Sequence, residues 1–265
     1  AGKIFSQLYI RQALQSMIDQ PQMISKFLKG YGVPTYGPVP VLPQNNLVDS
    51  FEQSNPYPYN PSHAKSLLTS HGWKVVPGGT DTCEKAGTGP SQCGAGIPKG
   101  TPLSFTFVYA TGIQWHSQVA TVEQSAWDSI GIHTNLEGEA FTTVIQNYVP
   151  PCVSGSPCTV EAGWWGGGWE YSPDYYPSGE TLFSTGAGSN STNYSNGKAD
   201  SLIKATTDTN TNLDKYQNYI AEQLPVIWQP NADYQLTEVS NNLRGVAPQN
   251  PFANLFPEYW YYVKK

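Results

Sequence analysis

The side chains of this chain best suited to chemistry are three carboxylates, Glu161, Glu170 and Asp174, set among aromatic rings in the run Glu161-Ala-Gly-Trp-Trp-Gly-Gly-Gly-Trp-Glu-Tyr-Ser-Pro-Asp174. Two carboxyl groups flanking a sugar bond are the machinery of glycoside hydrolysis, and indole rings are natural stacking surfaces for sugars. The same groups can also hold a polar or cationic ligand without transforming it. Carboxylates close together in sequence are commonplace, so binding is the favoured reading. Three of the eight tryptophans, Trp164, Trp165 and Trp169, fall within six residues. Gly166, Gly167 and Gly168 strip side chains from the backbone between them and leave room for close approach, while Tyr171 and Tyr175 add flat faces with polar tips. The stretch reads as the wall of a cleft.

Other catalytic patterns are missing. There is no G-x-S-x-G elbow, no P-loop, no H-E-x-x-H and no dinucleotide fingerprint between a strand and a helix. The four histidines, His63, His71, His116 and His133, are dispersed and read as surface or satisfied structural residues. The four cysteines form two close pairs, Cys83 with Cys93 and Cys152 with Cys158, each in a loop rich in Gly, Pro or Ser. Nine and five intervening residues do not suit a zinc site, so both pairs are expected to be disulfides and no metal or cofactor is expected. Disulfides, few charged residues (13%) and many aromatics (13%) point outside the cytoplasm. A net charge of −6 leaves no basic stripe for nucleic acid, and no run of 18 apolar residues exists to span a bilayer. Asn190-Ser-Thr and Asn193-Tyr-Ser match the glycosylation pattern, but so short a pattern is read as chance.

The elements that would position the aromatic stretch follow from periodicity. Ile10, Ala13, Leu14, Met17 and Ile18 form one apolar helical face ending before Pro21, and a second short helix runs through Phe27 and Leu28 to Gly30. A proline-dense stretch from Tyr31 leads to Asn60, the expected N-cap of a helix with Pro61 in its first turn, Leu67 and Leu68 inward and Gly72 at its end. Pro77 to Gly100 is a polar loop that a Cys83–Cys93 bridge would tie down. Leu103, Phe105, Phe107 and Tyr109 alternate as a strand with one aromatic face. A helix from about Ile113 to Ser129, a strand from Ile132 to Glu137 and a helix marked by Phe141, Val144, Ile145 and Tyr148 complete an α/β pattern. Helices near Ala199 to Thr206 and Leu213 to Gln223 follow, then an expected strand Val226 to Gln229 and a tail of extended segments and loops.

The order of these features resembles the C-terminal half of the family 5 extracellular solute-binding proteins of ABC importers, which include oligopeptide, dipeptide and nickel receptors. The resemblance rests on Ile10-Arg-Gln-Ala-Leu, Ile18-Asp19, Lys29-Gly-Tyr-Gly32, Tyr59-Asn-Pro, Ala64-Lys, Leu67-Leu, Gly72-Trp73, the strand Leu103 to Tyr109 with its helix, and Gly131-Ile132. Further on it rests on Ala162-Gly-Trp, Trp169-Glu-Tyr-Ser-Pro-Asp174, Asn193-Tyr-Ser-Asn196, Leu202-Ile203 and Leu224-Pro-Val-Ile-Trp228.

The resemblance implies a type II periplasmic-binding-protein-like lobe, with a mixed β-sheet flanked by helices. Residues 1–230 would be the C-terminal ligand-binding lobe, and 231–265 a segment returning to an absent N-terminal lobe. It implies a monomer that captures a peptide or other small polar solute in the periplasm or at the cell surface and delivers it to a permease, with any anchoring lipid preceding Ala1. Ligand contact would fall to Trp164, Trp165, Trp169, Glu170, Tyr171 and Asp174. Glu161 stands where some peptide receptors of the family carry arginine, so no partner for a peptide carboxylate carries over. The reading from a different class is a secreted carbohydrate-active enzyme or carbohydrate-binding module.

Overall fold

A computed structural model describes residues 2–41, 45–147, 161–165, 176–232, 240–246 and 257–263. The N-terminal part carries α1 (Gly2–Phe5), α2 (Leu8–Gln15), α3 (Gln20–Phe27), β1 (Gly32–Val33), α4 (Ser50–Gln53) and α5 (Pro61–Ser70). A short ladder, β2 (Trp73–Lys74) and β3 (Thr82–Cys83), leads to β4 (Ser104–Thr111), α6 (Gln114–Ser129), β5 (His133–Ala140), α7 (Phe141–Asn147) and β6 (Ala162–Trp164). Then come α8 (Glu180–Phe183), α9 (Gly197–Ala205), α10 (Asn210–Gln223), β7 (Asn231–Ala232), β8 (Leu243–Arg244), a 3-10 turn Pro257–Tyr259 and β9 (Tyr261–Tyr262).

Helix ends follow local chemistry. Asp19 caps α3 by accepting from the Gln22 N–H, Asn60 caps α5 by accepting from His63, and Asn196 caps α9 by accepting from Lys198 and Ala199. Gly72 ends the α5 region at φ +78°, a conformation that favours glycine. The apolar face expected on the first helix is the one buried: Ile10, Ala13, Leu14, Met17 and Ile18 all lie in the core, although α2 itself ends at Gln15.

At the centre is a three-stranded sheet in the order β5-β4-β6, with β4 parallel to both neighbours. Antiparallel pairing occurs in the separate two-stranded ladders β1–β7, β2–β3 and β8–β9. The strand β4 differs from the one-faced expectation. Phe105 and Phe107 enter the main core beneath α6, while Val108 and Ala110 pack on the other face with Val144 of α7. A central strand of a parallel sheet with helices on both faces is buried on both sides, so its residues need not alternate in polarity.

The loop between β2 and β4 is closed by the Cys83–Cys93 disulfide, as expected. It is also tied to α2, because Tyr9 Oη donates to the Cys93 carbonyl at 2.7 Å and accepts from Trp73 Nε1 at 2.7 Å. The expected pair Cys152 and Cys158 lies outside the described residues. Among the described residues no helix is long and apolar enough to cross a membrane.

A second apolar cluster joins Phe183, Ala199, Ile203, Leu213, Tyr216, Ile220, Leu224 and Trp228 around α9 and α10. Polar side chains from the first helices reach across to the end of this cluster. The Arg11 guanidinium donates to the Gln223 carbonyl through Nε at 3.1 Å and Nη2 at 2.9 Å, where α10 ends, and to the Phe5 carbonyl. Gln15 Oε1 accepts from the Trp228 N–H at 2.7 Å, and Gln15 Nε2 and Gln20 Nε2 donate to the Trp228 carbonyl at 3.1 and 3.0 Å.

These bonds explain a correction. Val226 to Gln229 is not a strand, because Pro225 and Pro230 bound it and the Trp228 backbone is satisfied by side chains instead of a neighbouring strand. The strand lies just beyond, at β7, where Ala232 pairs with Gly32 and Asn231 with Val33.

Three acidic groups are buried in these cores. Burial pushes the Glu52 and Glu123 carboxyls up to about 8 and Asp81 to about 6. Glu52 Oε1 accepts from the Val39 N–H and Asp81 Oδ1 from the Val76 N–H, while Glu123 accepts from Gln229 Nε2.

Two outcomes are expected. Replacing Gln15 by Leu leaves the buried Trp228 N–H without its acceptor and removes one of two donors to its carbonyl. The cost should be about 1–3 kcal/mol of stability, read by urea denaturation. Second, a buried acid with a raised pKa stabilises the fold fully below its unfolded value near 4.5 and loses that contribution as pH rises towards 8. The urea midpoint should therefore fall between pH 5 and 8, and the double change Glu52→Gln and Glu123→Gln should flatten that slope.

Candidate functional site

Because β4, β5 and β6 are parallel, their carboxyl ends emerge on one side of the sheet, the side where open α/β folds bind ligands. Tyr109 of β4 stands in register with Trp164 of β6. After β4 the chain turns through Gly112, at φ +103°, into the first turn of α6, which delivers Trp115 and His116 to the same place.

Among the described residues three rings meet there. The Trp115 and Trp164 centroids are 5.4 Å apart at 68°, Trp115 and His116 are 4.3 Å apart at 80°, and His116 and Trp164 are 4.9 Å apart at 47°. Edge and tilted contacts of this kind are the favoured aromatic geometries. Trp115 and Trp164 are half-buried, whereas His116 is 1% exposed. Among the described residues neither imidazole nitrogen meets a hydrogen-bond partner at good geometry. Burial pushes the His116 pKa down, opposed in part by the Ala110 backbone, which lies nearby without good hydrogen-bond geometry.

The expectation for His116 is thus half right. It is structural, not exposed, but it is unsatisfied, unlike His71, which stacks on Tyr9 at 3.9 Å and places Nδ1 2.8 Å from the Leu67 carbonyl. His63 and His133 are exposed.

Trp164 and Trp165 part company. Alternation along β6 sends Trp164 to the α6 face with Trp115 and His116, and Trp165 to the opposite face against Val108, Ala110 and Val144. One wall of the sheet's carboxyl end therefore carries one of the two rings. Glu161, one of the three carboxylates considered for chemistry, is exposed before β6 and accepts from the Thr106 N–H at 2.9 Å, so it serves the sheet edge. The remaining expected residues, Trp169, Glu170, Tyr171 and Asp174, lie outside the described residues. Among the described residues no cluster of His, Cys, Asp or Glu could hold a metal ion.

Sequence reasoning missed Trp115 and His116 as members of this constellation. The available signal was helical spacing: His116, Val119, Ala120, Glu123 and Trp127 recur at three- and four-residue intervals and form the buried face of α6. Asn190 of the glycosylation pattern is held inside the fold. The side chain is 2% exposed, donates to the Ser184 and Tyr194 carbonyls and accepts from the Tyr194 N–H.

A parallel sheet with aromatic side chains at its carboxyl ends, closed on both faces by helices, invites comparison with known receptors. The family model described as bacterial extracellular solute-binding proteins, family 5 Middle, matches residues 1–189. The chain belongs to this family. Oligopeptide-binding protein AppA of Bacillus subtilis (strain 168) is 26% identical over 282 residues, covering 99% of this chain and 45% of that protein. Glutathione-binding protein GsiB of Pectobacterium atrosepticum is 34% identical over 71 residues, 27% of this chain and 13% of that protein.

Among solved structures, Bacillus subtilis AppA in complex with a nonapeptide superposes with TM-score 0.69 at 23% identity, covering 98% of this chain and 48% of that one. NikZ from Campylobacter jejuni in complex with Ni(L-His) gives TM-score 0.63 at 16% identity, covering 92% and 45%. These structural likenesses carry the fold. This family 5 chain spans less than half the length of these relatives.

The opposed faces of β6 separate two roles by substitution. Trp165→Ala should cost about 2 kcal/mol of stability through the lost packing on Val108, Ala110 and Val144. Urea denaturation reads that loss, and the pair Trp115 and Trp164 should keep its fluorescence.

Proposed function

We propose that this chain supplies the ligand-binding lobe of the substrate-binding component of an ABC importer. It captures a peptide or other small polar solute outside the membrane and hands it to a permease. The observation that carries the reading is the ring cluster at the carboxyl ends of β4 and β6 in a chain of this family. Half-buried indoles offer flat apolar area at low entropic cost, which suits side chains of varied shape. The relatives named for oligopeptide and glutathione binding and solved with a nonapeptide support peptides as the first ligand class to try. A protein built this way binds without transforming its ligand, and membership of a family of binding proteins supports that reading over a carbohydrate-active enzyme.

In this reading Trp164 and the sequence neighbours Trp169, Glu170, Tyr171 and Asp174 face the ligand, and Glu170 or Asp174 favours an amino group or other cation. Trp165 serves the sheet's other face instead. Residues 1–230 form the lobe, and 231–265 return to a second lobe. Two observations favour that division. Among the described residues the ladder β8–β9 joins none of the apolar clusters, and Tyr259, Tyr261 and Tyr262 on and beside it are 61%, 60% and 73% exposed. Closure of two lobes on the ligand would exclude water and strengthen polar contacts, and the closed form would be the one a permease reads.

The test is retention of peptides from a random pentapeptide pool by the full-length protein, with retained peptides identified by mass spectrometry and then titrated singly by calorimetry. Trp164→Ala and Trp169→Ala should each weaken binding at least tenfold, about 1.4 kcal/mol, without loss of folding. Equal retention by wild type and both variants, or turnover of chromogenic glycosides by wild type, would overturn the proposal.

A further inference from the structure

His116 is placed to govern the ring that the proposed function relies on. It is the third residue of α6 and touches both Trp115 and Trp164, so a change in its size or charge is felt by both indoles. Among the described residues its two buried nitrogens meet no well-formed hydrogen-bond partner, which a neutral imidazole tolerates far better than an imidazolium. The first turn of α6 adds to that preference, since it holds no acidic residue and helix N-termini disfavour positive charge.

Among the described residues, no opposing charge faces the ring from α6, β4 or β6. On α6 the next titratable group along the buried face is Glu123, two turns away, which burial keeps protonated until the pH approaches about 8 and Gln229 engages. The strand β4 presents Tyr109 and the Ala110 backbone, and β6 presents Trp164.

The two indoles differ in how firmly they are held. Trp115 belongs to a 16-residue helix packed on the core, whereas Trp164 ends a three-residue strand paired only with β4 among the described residues. If the wedge between them changes, Trp164 is the ring that moves. We propose that His116 is a positioning residue of the binding wall: neutral, it sets the angle of the Trp164 ring, and on taking up a proton it releases that ring and weakens ligand capture in acid.

The sign follows from burial. A histidine whose pKa is held below its ordinary 6.5 contributes its packing fully above that value and loses it as pH falls through the lower, folded value. This inference rests on the reading of Trp164 as a ligand-facing wall.

The protein labelled with 5-fluorotryptophan tests it by fluorine NMR between pH 8 and 5, with signals assigned by Trp115→Phe and Trp164→Phe. The Trp164 signal should shift with one midpoint below pH 6.5, with Trp115 following. Trp127 should stay still, because it lies about 16 Å further along α6 and its indole donates to the Leu14 carbonyl. In His116→Phe both shifts should vanish, and His116→Gln serves if that variant does not fold.

A Trp164 signal that stays flat in the wild type, or that still titrates without His116, overturns the inference while leaving the peptide-binding test untouched. A titrating Trp164 whose alanine variant retains pentapeptides as well as wild type overturns it through its premise instead. A titrating, His116-dependent Trp164 whose loss abolishes retention supports both.

Discussion

The described structure depends on how the backbone of one residue, Trp228, is satisfied. Its N–H and carbonyl are buried where no strand runs alongside, and Gln15 and Gln20 supply the missing partners across more than 200 positions of chain. Buried backbone groups without partners are costly, so this segment holds its course only while the first two long helices hold theirs. Arg11 adds a second tie by capping the last carbonyl of α10. The two apolar clusters are thus joined by directional bonds as well as by packing, and the chain is delivered to β7 and its partner β1 at a defined place. Hydrogen bonds specify geometry in a way that apolar contact alone does not.

This join has a bearing on how a motif is understood. The Arg and Gln of Ile10-Arg-Gln-Ala-Leu look like surface decoration on an amphipathic helix. In the folded chain Arg11 reaches the end of α10 and Gln12 donates to Tyr57 Oη at 3.1 Å, whose own hydroxyl donates to the Glu222 carbonyl at 2.7 Å. The motif's polar residues therefore hold the C-terminal end of α10 from two sides. Its apolar residues, Ile10, Ala13 and Leu14, fill the main core.

Much of the architecture was legible because its causes are local. Helical spacing marked Ile10 to Ile18, and the caps at Asn60 and the glycine at Gly72 marked both ends of α5. What escaped had distant causes. The residues Val226 to Gln229 carry a strand-like composition, yet glutamines from the start of the chain take the hydrogen bonds that a strand would need. Burial of Val108 and Ala110 depends on Val144, which follows an entire further strand.

The candidate site was half legible for a related reason. Trp164 stood out by type, but Trp115 and His116 join it only through the parallel pairing of β4 and β6, and a search for apolar periodicity passes over a buried histidine. The alternation that parts Trp164 from Trp165 needed β6 to be placed in the sheet before it could be assigned a direction.

Adjacent tryptophans at the end of β6, Trp164 within the strand and Trp165 just past it, also shape how this corner of the sheet can change over generations. Loss or gain of one residue ahead of Ala162 would flip the strand's facing, and in most proteins that would put the wrong side chain against the neighbouring helix. Here the flip would merely exchange one indole for another. A doubled ring of this kind buffers the strand against small insertions and deletions, because an indole remains on the α6 face either way.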